Sequence, residues 1–125
     1  MTHPTEAVDW AYYRDRIAAP QLLNRARPVL LRGVPLLAVP AGGPRQGGFL
    51  SVATVADALD AVRALLGQPG FPDVRVRWSH SPDTCHSVEW GDRPPPGDDD
   101  TACGLHYGYR ADVIRTYTAA VPQDP

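Results

Sequence analysis

The sequence contains no lysine: all 12 of its cationic side chains are arginines, set against 14 acids for a formal net charge of −2. That balance lacks the basic footprint needed to bind nucleic acid or an anionic lipid surface. The arginine bias, with 14 prolines and abundant alanine and glycine, fits a GC-rich genome. It therefore carries no argument for forked recognition of phosphate or carboxylate. Only 2 cysteines are present, too few for a disulfide-stapled secreted scaffold, so Cys85 and Cys103 are expected as thiols rather than a bridge. The stretch from Met1 to Trp10 lacks a basic region followed by an apolar one, so no export is expected and a cytoplasmic location is. The longest apolar run, Val29 to Val39, is broken by Arg32, Gly33 and Pro35 and falls far below the ~20 residues that span a bilayer. What remains is ordinary globular composition over 125 residues, with 43% hydrophobic and 21% charged, enough for one modest core.

Periodicity divides the chain into elements. Thr5 is placed to cap a first helix running to Ile17, in which Trp10, Tyr13 and Ile17 share one face. After Pro20 a short helical turn leads to strands at Val29 to Arg32 and Leu36 to Val39, the second buried on both faces because it does not alternate. Pro40 to Gly48 reads as a loop of wide backbone freedom, and Phe49 to Val52 as a third strand. Thr54 with Asp57 resembles a capping box for the clearest helix, whose stripe runs through Val55, Ala58, Leu59, Val62, Leu65 and Leu66 until Gly67 and Pro69 stop it.

Asp73 to Ser79 alternates, with Val74, Val76 and Trp78 on one face and Arg75, Arg77 and Ser79 on the other. His86 to Trp90 alternates too, so the two runs are expected to pair as a hairpin with Glu89 against the arginines. Prolines and the Asp98 to Asp100 run predict a mobile linker over 92–100, and Ala111 to Ala120 a last helix. The expected fold is a single α+β domain over residues 1–125 with flexible termini. Its elements follow the order α-β-β-β-α-β-β-α, with a mostly antiparallel sheet and helices on one face. The opening half resembles the double-stranded-RNA-binding domain in element order, but no lysine cluster opens the helix after Thr54, which argues against nucleic acid.

Few residues offer chemistry. Cys85, His86, Cys103 and His106 are two thiols and two imidazoles, the ligand set of a tetrahedral zinc site and the one cofactor for which the sequence supplies ligands. Against zinc, neighbours on a strand such as Cys85 and His86 point to opposite faces, so no cofactor is expected. The same thiol can serve as a nucleophile with His86 or His106 as base and Asp83 as orienting group, but adjacency alone does not create that geometry. Arg45 in the glycine loop offers an anion contact, although the loop lacks a phosphate-loop ending and leads into a strand. Arg75, Arg77 and Trp78 on the hairpin, with Tyr107 and Tyr109 around Gly108, offer surfaces for a ligand or partner.

Phe71-Pro-Asp-Val-Arg-Val-Arg-Trp-Ser, then Pro82-Asp-Thr-Cys-His and Val88-Glu-Trp-Gly, resemble a family of small uncharacterised actinobacterial proteins, as does Pro35-Leu-Leu-Ala-Val-Pro with its glycines. The resemblance implies a stand-alone bacterial protein and assigns no activity. Three roles follow as expectations. The leading one is a small binding or accessory protein, regulatory in character, taking a protein or small-molecule partner or a second copy of itself as a homodimer. The others are a Cys/His enzyme of specialised metabolism and a zinc-binding domain.

Overall fold

The structure is a computed structural model and describes residues 3–81, 85–96 and 99–120. The chain order is α1 (Trp10–Arg14), β1 (Arg27–Leu31), β2 (Val34–Ala38), β3 (Gly47–Val52), α2 (Val55–Leu65), β4 (Arg75–Arg77), β5 (His86–Gly91), α3 (Asp100–His106) and α4 (Ala111–Ala120). This is the expected α+β order with one helix added, α3. Asp99 begins it by accepting the Ala102 N–H at 3.0 Å, so part of the acidic run expected as linker is a helix cap.

The opening helix is shorter than its spacing predicts. Proline holds residues 4–6 in a 3-10 turn, and α1 covers only residues 10–14. Two tertiary contacts override the local pattern. The Asp9 carboxylate accepts the Leu37 N–H at 2.8 Å instead of capping α1, and Ile17 leaves the helix to bridge Tyr109.

β1 and β2 form a hairpin closed by Leu31 opposite Val34. Its two-residue turn, Arg32-Gly33, has φ of 55° and 77°, the positive pair that suits the twist of a tight hairpin. Arg32 then reaches the largely buried Asp57 of α2 at 3.2 Å. The hairpin separates two apolar clusters. Val29, Leu31 and Ala38 join the main core, whereas Leu37 and Val39 pack with Ile17, Leu22 and Leu23. That division is the physical reason the second strand does not alternate.

β3, β5 and β4 form a second antiparallel sheet with β5 in the centre. The expected hairpin is present, in the register Arg75 to Glu89, Val76 to Val88 and Arg77 to Ser87. α2 starts at Thr54, whose hydroxyl accepts the Asp57 N–H at 3.1 Å. It lays Ala58, Ala61 and Leu65 on the sheet over Leu50, Val52, Val88 and Trp90. The small side chains bring helix and sheet close, so the other half of its stripe, Val55, Leu59 and Leu66, is left exposed. Tyr107, which follows α3, packs on Phe49 with ring centroids 5.2 Å apart. Because Phe49 and Leu50 alternate across the strand, that contact covers the sheet face opposite α2.

Covering both faces reverses the expected outward display of arginine. Glu89 is 5% exposed, and Arg75 approaches it at 3.6 Å while donating to the Asp73 and Gly91 carbonyls. Trp90 is buried against Phe71, whereas Trp78, which alternation places on one face with Val74 and Val76, is 44% exposed.

The glycine-rich loop is tighter still. Gly42 and Arg45 exchange backbone hydrogen bonds of 2.8 and 2.9 Å, which turns the Arg45 side chain inward to 3% exposure. Its Nε donates to the Val39 carbonyl at 3.3 Å and its Nη1 to the Tyr107 carbonyl at 2.8 Å. Trp90 Nε1 donates to the same Val39 oxygen at 3.0 Å. A Cβ at position 48 would stand 2.6 Å from both Arg45 Nη2 and the Trp90 ring, and one at 108, where φ is 72°, would stand 2.8 Å from Arg45 Cβ. Only glycine fits at either place. Arg45→Leu should lower the unfolding free energy by about 2–4 kcal/mol, since it strips the Tyr107 carbonyl of a buried donor and leaves a poorly filled site. Arg45→Lys should recover less than half of that, because an ammonium is not a fork. Urea denaturation reads both, and a loss below ~0.5 kcal/mol for the leucine variant, the size of an ordinary surface effect, would contradict the burial argument.

Candidate functional site

All five tyrosines of the sequence gather at one place. Tyr12, Tyr107, Tyr109 and Tyr117 line a cleft of about 650 Å³ between α1, the turn after α3, and α4, and Tyr13 lies edge-on to Tyr12 at 5.3 Å. The main chain holds its walls together. Ala18 N–H donates to the Gly108 carbonyl at 2.8 Å, and Arg110 N–H to the Arg16 carbonyl at 2.9 Å. The tail of α1 is thereby joined to the α3–α4 turn. Cys103, Gly104, Val113 and Ile114 supply the apolar part of the lining, and Asp15, Arg16, Asp100 and Asp112 its charges.

Arg45 lies behind this wall, its guanidinium carbon 5.8 Å from the Tyr13 ring centroid and 5.9 Å from that of Tyr107. It forms no ion pair among the described residues, so ring faces and carbonyls stabilise its charge. Burial pushes the Tyr109 phenol well above its ordinary value and raises Tyr13 and Tyr107 as well. The three phenols therefore stay protonated near neutrality and act as neutral hydroxyls. Burial likewise lowers the pKa of Arg45, but a guanidinium remains charged at any ordinary pH.

The residues singled out from the sequence fall into separate places. Cys85 is exposed just before β5. His86 accepts the Ser79 N–H on Nδ1 at 2.9 Å and packs its ring on Trp78 at 5.1 Å. His106 sits beside Gly47, whose partner is Gly91, whereas His86 is opposite Val52. Five residues of strand, roughly 16 Å, separate those ends, so His106 is no base for Cys85. Asp83 lies outside the described residues. No three His, Cys, Asp or Glu among the described residues converge as metal ligands, and Cys85, His86, Cys103 and His106 do not form the four-ligand set. Arg45 and Arg75 are withdrawn from the surface positions expected of them, and Arg77 alone of the three is exposed. Tyr107 and Tyr109 do enter the cleft, and so does Cys103.

Tyr12, Tyr117 and the cleft itself escape a sequence reading, because residues a hundred positions apart meet only through tertiary packing. A clustering of tyrosines at 12–13 and 107–117 in a chain with only two phenylalanines was the available signal.

The whole chain, residues 1–125, matches the model of a family of unknown function, DUF6302. No curated protein and no solved structure matches it.

His106 is 4% exposed and its Nε2 has no hydrogen-bond partner among the described residues. Burial lowers its pKa below the ordinary 6.5, the Arg45 charge acts in the same sense, and the Asp92 carbonyl with the charges of Asp92 and Glu89 opposes them. The unfolded chain thus binds this proton more readily than the native one. Stability from the neutral imidazole is complete above pH 6.5 and is lost as pH falls toward the native pKa. Thermal melts from pH 8 to pH 5 should show a smaller acid loss in His106→Gln than in the parent. Equal losses would contradict the assignment.

Proposed function

Because the chain belongs to the DUF6302 family, whose function is unknown, we propose its role from its own geometry: it is a binding protein whose small organic ligand occupies the tyrosine-lined cleft. The observation that carries this reading is the convergence of four of the five tyrosines on one concavity, with the fifth, Tyr13, packed behind Tyr12. A tyrosine offers an apolar ring and a polar tip, and four of them around about 650 Å³ combine contact area with orienting hydroxyls. That volume lies within the ~300–1,000 Å³ of ordinary ligand sites. A binding role takes precedence over a Cys/His enzyme because Cys85, His86 and His106 are divided between the two ends of β5. The arginine-only cation set and the two free thiols support placing this protein in the cytoplasm of an actinobacterium.

A mixture of fragment-sized aromatic compounds, screened by NMR against the full chain, should shift resonances of Tyr12, Tyr109 and Tyr117 together. Thr116→Trp, which adds bulk from an exposed lining position, should abolish those shifts without lowering the melting temperature by more than a few degrees. Shifts confined to Trp78 and His86, or shifts that survive the tryptophan, would contradict the reading.

A further inference from the structure

Resting on that cleft reading, we infer that the ligand is an organic cation, a protonated or quaternary amine on an apolar body, held by tyrosine faces and the carboxylates at the rim. Among the described residues three carboxylates, Asp15, Asp100 and Asp112, line the cleft against a single guanidinium, Arg16. Asp15 pairs with Arg14 at 3.0 Å and Asp112 with Arg110 at 3.3 Å, but both partners lie outside the lining and both pairs are exposed, a kind that holds weakly.

Arg16 itself is the second observation. Its guanidinium carbon stands 4.1 Å from the centroid of the Tyr12 ring while its Nη1 donates to the Tyr12 carbonyl. The cleft already seats a cation on a tyrosine face, the contact that quaternary ammonium ligands use in aromatic cages. An anion fares worse there. Among the described residues the one lining cation, Arg16, is engaged with Tyr12, Arg45 lies behind the wall rather than in it, and Asp100, the lining carboxylate outside the two ion pairs, repels it. The raised pKa values of Tyr107 and Tyr109 keep their hydroxyls neutral, so the walls accept a cation through ring faces rather than through a phenolate.

The test titrates the full chain at neutral pH with three ligands that share one benzyl group, benzylammonium, benzyl alcohol and phenylacetate, followed by NMR shifts of the cleft tyrosines. The cation should bind about tenfold more tightly than either of the others. The double variant Asp100→Asn with Asp112→Asn should cut that preference to roughly threefold or less. Arg16→Gln should tighten binding of the cation, because it frees the Tyr12 face and removes the one competing charge. A structural disturbance does not produce such a gain. Equal binding of the three probes, or preference for phenylacetate, overturns the cation assignment and leaves the cleft as a ligand site. Absence of cleft shifts with all three overturns both.

Discussion

A buried guanidinium with no carboxylate paired to it among the described residues determines much of this architecture. Arg45 donates to the carbonyls of Val39 and Tyr107, residues at the end of β2 and just past α3 that are 68 positions apart in sequence. Withdrawing such a charge from water is costly, and it persists only where fixed oxygens and ring faces replace its hydration. Several features of the fold follow from that requirement. Glycine is needed at 48 and 108 to clear room, Trp90 shares the Val39 oxygen, and Tyr13 and Tyr107 present their rings. Neighbouring main-chain bonds reinforce the join: Gln46 N–H donates to the His106 carbonyl and Asp92 N–H to the Gln46 carbonyl, at 2.8 and 3.0 Å.

The same constraint builds the cleft. With the Tyr107 carbonyl held from behind, the turn through Gly108 and Tyr109 is fixed against the tail of α1, and the aromatic side chains on either side face a common space. The wall is thus braced from behind by hydrogen bonds, whereas the charged pairs at the rim are exposed. This division resembles that of many ligand sites, in which a rigid apolar floor carries a few polar groups for orientation.

Legibility from sequence followed the range of the forces involved. The hairpin of β4 and β5 and the start of α2 were readable because strand alternation and the Thr54 cap are local signals. α1 is shorter than its periodicity implies because Asp9 and Ile17 obey contacts with Leu37 and Tyr109 that no window of neighbours contains. α3 has no clear local signal, because aspartates beside prolines look like solvated linker unless one caps a helix, as Asp99 does. Arg45 departs furthest from its local sequence context. An arginine among glycines reads as a solvated loop tip, yet those glycines give the chain the freedom to turn its charge inward. The cleft was not visible in advance, apart from Tyr107 and Tyr109, since its tyrosines come from the two ends of the chain.

Exchange of the Arg45 Nε–H with water, followed by 15N NMR near neutral pH, tests the central role of that side chain most directly. A donor held on the Val39 carbonyl inside the fold should remain visible long after the Nε–H signals of exposed arginines such as Arg14 and Arg63 have been lost to exchange. Exchange of Arg45 at the rate of those exposed groups would show a solvated side chain and contradict the account.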